Sequence, residues 1–188
     1  MKILISAAEA SSDVHGAQLL KALKKLGAIE AYGMGGPALR AEGLKAVIHS
    51  EQMLVMGFLE ILSRLPKIYF ALKKIERLAK KQKPDVVVVM DYPDFHFRLA
   101  KRLKRYDVPV IYYIPPKVWA WRTKRLIQMK TLFRKVLCIF PFEEGVYKKS
   151  GLDASYVGNP LLDELPLKLS RAQAREKLGL SDEQMVIT

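Results

Sequence analysis

Asp85-Val86-Val87-Val88-Val89-Met90, running on into Asp91-Tyr92-Pro93-Asp94-Phe95, is the stretch that decides the fold. Four consecutive β-branched residues leave no alternation of apolar and polar positions, so neither face of such a strand meets water. This is the pattern of a strand inside a sheet covered on both sides. Downstream, residues 108–114 and 136–140 repeat the pattern, and upstream residues 2–7 open the chain in the same way. Residues 29–32 and 44–48 are two shorter strand candidates, the first running into Gly33-Met34-Gly35-Gly36-Pro37, which reads as a turn. Between the strands lie helical patterns. Residues 14–26 place Ala17, Leu19, Leu20, Leu23 and Leu26 on one face, and residues 57–82 form a long amphipathic segment that Pro66 should break. Strands alternating with helices give an α/β fold, a Rossmann-like parallel sheet with helices on both faces.

The chain has 188 residues, half of them hydrophobic, enough for one packed domain and the start of another. The division expected from composition is 1–165 for the Rossmann-like domain and 166–188 for a linker and the beginning of a second one. Residues 161–169 are rich in proline, leucine and charge, residues 170–179 read as a capped helix ending at Gly179, and Met185-Val186-Ile187-Thr188 resembles the start of a strand. The single cysteine, Cys138, sits in an apolar run and reads as a buried small hydrophobe. Met1–Ser6 reads as a strand and not a leader, with Glu9 and Asp13 close behind. The most apolar window, 53–72, is interrupted by Glu60, Arg64 and Lys67, so no bilayer span is expected.

A net charge of +13 favours anionic partners: nucleic acid, acidic lipid or phosphorylated substrates. No zinc, helix-turn-helix or RNP signature supports the first of these. His15, His49 and His96 have no metal-ligand spacing with cysteine or carboxylates, so no metal site is expected. The Gly33–Pro37 glycines follow the second strand and lack the third glycine of a dinucleotide fingerprint.

Ligands of an open parallel sheet bind beyond the carboxyl ends of its strands. The segments there are Ala7-Ala8-Glu9-Ala10-Ser11-Ser12-Asp13, Asp91 to Phe95, Pro115-Pro116-Lys117-Val118-Trp119-Ala120-Trp121-Arg122, and Pro141-Phe142-Glu143-Glu144. Each brings carboxylates, aromatics or cations to one rim. Asp91 could instead be a turn residue before Pro93, Asp13 a helix N-cap and Asp94 a first-turn carboxylate. Trp119 and Trp121 either anchor their loop on the core or border a ligand, with Arg122, Lys124 and Arg125 attracting a phosphate. In the stretch from Met53 into the amphipathic segment, Met53, Leu54, Met56, Phe58 and Leu62 exceed what one core face needs. Arg64, Lys67, Lys73, Lys74 and Arg77 accompany them. That combination reads as a membrane surface or an acyl-chain groove, and otherwise as a core helix with a solvated basic face.

Together these stretches resemble the N-terminal domain of the lipid-A-disaccharide synthase family of GT-B glycosyltransferases. The resemblance rests on Ala8–Asp13, Gly35-Gly36-Pro37 with Ala41-Glu42-Gly43, Val55-Met56-Gly57, Lys83-Pro84-Asp85, Asp91–Phe95, Val118-Trp119-Ala120-Trp121-Arg122, Phe140-Pro141-Phe142-Glu143 and Val157-Gly158-Asn159-Pro160. They fall in the family's order across nearly the whole chain. The resemblance implies an inverting hexosyltransferase of lipid A biosynthesis without cofactor. It would join a UDP-diacylglucosamine donor to a diacylglucosamine 1-phosphate acceptor through a β-1,6 bond, on the cytoplasmic face of the inner membrane and against its anionic lipids. It implies Asp91 as general base and Glu9 as its partner, with Ser11, Ser12, Asp94, Met56, Trp119, Trp121 and Arg122 at the substrate. It also implies that the acceptor sits on this half, that UDP and a homodimer contact belong to a C-terminal half, and that the 188-residue chain by itself is inactive. The sequence departs from the family at Ser12, where glycine is usual, and at Pro115-Pro116-Lys117, where serine is common. Both departures bear on acceptor contacts. A different GT-B sugar-nucleotide enzyme, such as a UDP-sugar epimerase, or a non-catalytic membrane-surface fragment are the rival readings.

Overall fold

The four valines form β4 (Val86–Met90), the middle strand of a seven-stranded, all-parallel sheet in a computed structural model of the chain. The structure describes residues 1–53, 58–117, 124–164, 169–181 and 184–186; for 58–65 and 164 the description is of the backbone alone. Around β4 lie β1 (Lys2–Ala7), β2 (Glu30–Gly35), β3 (Lys45–His49), β5 (Val110–Tyr113), β6 (Lys135–Cys138) and β7 (Ala154–Tyr156). Their order is β3-β2-β1-β4-β5-β6-β7. The helices are α1 (Ala10–Leu26), α2 (Pro37–Ala41), α3 (Phe58–Gln82), α4 (Pro93–Leu103), α5 (Lys124–Leu132), α6 (Pro141–Lys149), α7 (Leu161–Glu164) and α8 (Arg171–Lys177). The chain divides into two compact units, Met1–Gly158 and Asn159–Thr188, a division earlier than the 165/166 boundary drawn from composition.

The valine run is explained by what each side meets. Val87 and Val89 join Leu4, Tyr112 and Val136 in one core layer, under Ile75 of α3 and Leu99 of α4. Val88 and Met90 join Ile3, Ile5 and Ala7 in the other, against Ala17 and Leu20 of α1. Each such side chain removed from water contributes about 1.5–3 kcal/mol. Asp85 fastens the entry of the strand, its carboxylate accepting from the Lys2 amide at 2.7 Å while its own amide donates to the Lys2 carbonyl at 2.9 Å. Cys138 is buried, as its apolar surroundings suggested.

Three local expectations need correction. Gly33-Met34-Gly35 is not a turn but the second half of β2. A Cβ on Gly33 would stand 2.0 Å from the Ile5 carbonyl oxygen, so glycine is there to let β2 approach β1. Pro66 does not break α3, which runs through it. The proline removes one ladder donor, and the turns that follow are held by Ala71, Leu72, Ile75 and Ala79 in the core. Residues 161–169 include the short α7, while Met185 and Val186 adopt no strand; Ile187 and Thr188 lie outside the described residues. The helix after Ser170 forms as read, with the serine hydroxyl accepting from the Gln173 amide.

Asp13 is not the N-cap of α1; that position belongs to Glu9. Its carboxylate, 3% exposed, reaches across to α2 and accepts from the amides of Gly36 at 2.7 Å, Ala38 at 2.8 Å and Leu39 at 3.1 Å. Gly36 leaves room for it, since a Cβ there would lie 2.5 Å from the Asp13 oxygen. Replacing Asp13 with alanine leaves these donors buried and unpaired, and should cost on the order of 3 kcal/mol in urea unfolding, with Asp13→Asn costing less. Equal stability of Asp13→Ala and the parent would contradict this account.

Candidate active site at the switch point of the sheet

Because the strand order reverses between β1 and β4, the connections leaving their carboxyl ends run apart and open a crevice. Glu9 follows β1 there and Asp91 follows β4. Ala7 is paired with Met90 across the two strands, so Glu9 and Asp91 follow neighbouring strand ends, near enough for the Glu9 charge to act on the Asp91 carboxyl. The structure therefore brings together the two residues that the sequence singled out.

The turn that carries Asp91 is strained. Asp91 and Tyr92 have φ of 50° and 39°, and Ile114 at the end of β5 has 54°. Left-handed backbone costs an L-residue roughly 1–2 kcal/mol, and three such residues lie at the carboxyl rim, with Lys83 and Asp107 at the opposite one. Two side chains hold the turn from below. The Tyr112 hydroxyl donates to the Asp91 carbonyl at 2.7 Å, and His96 Nδ1 lies 2.6 Å from the same oxygen. A carbonyl can only accept, so Nδ1 carries the proton. His96 Nε2, 2.8 Å from Ser6 Oγ, is then the acceptor of the serine hydroxyl. Ser6, His96 and Tyr112 have no exposed surface. Burial pushes the imidazole down to about 4, against the opposing pull of its bond to Asp91, so the ring is neutral near pH 7.

The Asp91 carboxyl is more basic than an ordinary aspartate. Loss of water is the main cause and the negative charge of Glu9 adds to it, while His15 and the Ser12 hydroxyl act the other way. A carboxylate raised in this manner, at an open rim, is suited to take a proton from a hydroxyl. Glu9 is exposed at the start of α1, with Ser11 exposed beside it. Ser12, expected at the substrate, instead has no exposed surface. Its hydroxyl donates to the Glu9 carbonyl at 2.9 Å and accepts from the Glu9 amide at 3.1 Å. The serine that replaces the usual glycine thus secures the turn carrying Glu9, a use its side-chain chemistry allowed but its position alone did not reveal.

Asp94 is in the first turn of α4, as its position after Pro93 suggested, and is exposed. It binds Arg125 of α5 at 2.5 Å, and the guanidinium also covers the Phe97 ring. Arg125 is therefore paired within the fold, where the sequence reading had it attract a phosphate. Pro116, the other departure, offers its carbonyl to the Tyr147 hydroxyl at 3.0 Å. Met56, Trp119, Trp121 and Arg122 lie outside the described residues. His15, which sequence reading passed over except as a metal ligand, is the missed neighbour of Asp91. Its place one turn beyond Ser11 and Ser12 on α1 was the available signal. Among the described residues no group of three or more histidine, cysteine or acidic side chains could hold a metal ion.

The expected acyl-chain segment divides in two. Leu54 lies outside the described residues, as do the side chains of Phe58, Leu62 and Arg64. Met53 is buried, and with Ile48, Phe70 and Ala71 it forms the apolar part of a cavity of about 530 Å³ that Glu51, Gln52, Lys67 and Lys74 also line. Lys67, Phe70, Lys74 and Arg77 are exposed along one side of α3. Lys73 is off that stripe, lying over the Tyr69 ring at 4.7 Å. Among the described residues no helix is long and apolar enough to cross a membrane.

A family model described as lipid-A-disaccharide synthetase matches residues 3–188. The lipid-A-disaccharide synthase of Myxococcus xanthus (strain DK1622) is 43% identical over 181 residues, covering 96% of this chain and 47% of that protein. That of Solibacter usitatus (strain Ellin6076) is 37% identical over 188 residues, covering 100% of this chain and 49% of the relative. The chain thus spans about half the length of the curated relatives it matches. Among solved structures, the UDP-GlcNAc 2-epimerase of Neisseria meningitidis bound to UDP-GlcNAc superposes with a TM-score of 0.62 at 15% identity, covering 96% of this chain and 50% of that one. MurG of Acinetobacter baumannii gives 0.54 at 16%, covering 85% and 45%. At such identities the likeness is one of fold, that of the N-terminal half of a GT-B protein. The match that runs from the first strand to the last residue carries the assignment, and the chain belongs to the lipid-A-disaccharide synthase family.

Proposed function

We propose that this chain is the acceptor-binding half of an inverting glycosyltransferase that joins diacylglucosamine from UDP-diacylglucosamine to diacylglucosamine 1-phosphate. The acceptor's primary hydroxyl attacks the anomeric carbon, the bond from that carbon to UDP breaks, and UDP departs with the electron pair. Asp91 takes the hydroxyl proton, and a β-1,6 bond results. The observation that carries this reading is the half-buried Asp91 carboxyl, raised in basicity beside Glu9 at the switch point. Glu9, with Ser11 next to it on the exposed start of α1, orients the acceptor hydroxyls. Met56, Trp119, Trp121 and Arg122 belong to the same proposal, resting on the family resemblance alone.

The cavity beside Met53 and Phe70 suits an acyl chain, and the exposed Lys67, Phe70, Lys74 and Arg77 suit the surface of an anionic bilayer. The protein then works as a peripheral enzyme on the cytoplasmic face of the inner membrane, with UDP and any homodimer contact on the C-terminal half. The fold likeness to UDP-GlcNAc 2-epimerases does not favour epimerisation, because at 15% identity it speaks for the fold alone.

In a chain that includes the UDP-binding half, Asp91→Asn should lower kcat roughly 10²- to 10⁴-fold in a disaccharide-forming assay; near-parental turnover would remove Asp91 from the role of base. The base must be ionised, so kcat/KM falls as pH drops through the raised pKa of Asp91. Glu9→Gln withdraws one of the charges that raise it, and the acid limb of the profile should move to lower pH, whatever the change in rate. An acid limb that stays in place or moves up would contradict the coupling. Binding to vesicles containing phosphatidylglycerol should weaken with salt and on joint replacement of Lys67, Lys74 and Arg77 by glutamine. Unaltered sedimentation with vesicles would refute the membrane-facing stripe.

A further inference from the structure

His96 takes no part in the chemistry described so far, yet it is a fully enclosed ionisable side chain next to Asp91. It has no exposed surface, and its ring contacts Phe95 and Tyr112 edge-on with centroids 5.4 and 6.2 Å away. It closes the β4–α4 turn twice. Its backbone amide donates to the Tyr92 carbonyl at 3.1 Å, and its Nδ1 reaches the Asp91 carbonyl at 2.6 Å. Ser6 of β1 fixes the other ring nitrogen at 2.8 Å. The imidazole therefore spans the two strands whose ends form the crevice, tying β1 to the left-handed backbone after β4. A ring needed only to fill the core would leave both nitrogens without partners, and phenylalanine would serve there at no polar cost.

From this juxtaposition we propose that His96 is a positioning residue for the reaction, with its Nδ1–H holding the Asp91 peptide in the conformation that presents the carboxylate to the crevice. Neither nitrogen faces the crevice, so the ring itself exchanges no proton with substrate. The inference rests on the reading of Asp91 as the base, and two separate readouts keep the two apart. The first readout is amide hydrogen exchange over residues 90–97 in the full-length enzyme. The second is kcat and KM for each substrate.

His96→Phe keeps the ring and removes both ties; His96→Asn puts an amide N–H near the place of Nδ1. The expected result for His96→Phe is faster exchange over 90–97 and a kcat lower by roughly 10- to 100-fold, with KM for either substrate changed less than about threefold. His96→Asn should recover most of both losses. Loss of rate by the two variants in equal measure, in step with the folded fraction seen by circular dichroism, would make His96 a packing residue only and overturn the proposal. So would unchanged exchange in His96→Phe. Faster exchange with an undiminished kcat would leave the tie a structural one and overturn the positioning role, while Asp91→Asn tests the base independently. If His96→Phe does not fold, Ser6→Ala applies the same test by withdrawing the hydroxyl that fixes the ring: faster exchange over 90–97 supports the tie, and unchanged exchange refutes it.

Discussion

The carbonyl oxygen of Asp91 accepts two hydrogen bonds, from Tyr112 and from His96, and the candidate active site depends on that pair. Both donors lie in the dry core beneath the crevice, where an unmade bond would cost more than at the surface. They offset the strain of two consecutive left-handed residues and turn the chain sharply as it leaves the central strand. Without them, the carboxylate after β4 would be carried by a loop free to relax into ordinary extended backbone.

The sheet supplies the donors because its order brings β1, β4 and β5 side by side. Ser6 comes from β1 and Tyr112 from β5, and His96 sits in the first turns of the helix after β4. Each core layer then does two things. The layer holding Val87, Val89 and Leu99 also houses Tyr112, so apolar packing fixes the hydroxyl's direction. On the other side of the sheet, Asp13 fastens α1 to the start of α2, which steadies the helix that begins with Glu9. Glu9 and Ser11 are exposed, and Asp91 half-buried, on elements whose buried halves are tightly satisfied, an arrangement that permits a raised carboxyl pKa without a loose turn.

Much of this was legible from residues 85–95. An unbroken β-branched run can be buried only on both faces, and a carboxylate directly after it must emerge at the carboxyl rim, so the parallel sheet and Asp91 followed from local pattern. The Gly33–Gly35 segment was misread because glycine marks turns and close strand approaches alike, and only the Ile5 carbonyl beneath Gly33 distinguishes them. Pro66 was misread because a lone proline's penalty is local, while the core contacts that keep α3 together come from elsewhere in the chain. The roles of Ser12, Asp13 and His96 were hidden for a shared reason: each is decided by partners that spacing along one element does not reveal. A histidine shows in sequence its capacity for ligation or proton transfer, and nothing of a carbonyl and a hydroxyl that already occupy both its nitrogens. The short β7 was missed because three residues carry too little periodicity to register.

Nitrogen-detected NMR of the His96 imidazole across a pH titration tests the arrangement most directly. The account predicts a neutral ring with its proton on Nδ1 around pH 7, staying neutral until the pH approaches about 4. A ring that titrates near the ordinary histidine value of about 6.5, or that carries its proton on Nε2 at neutral pH, would contradict it.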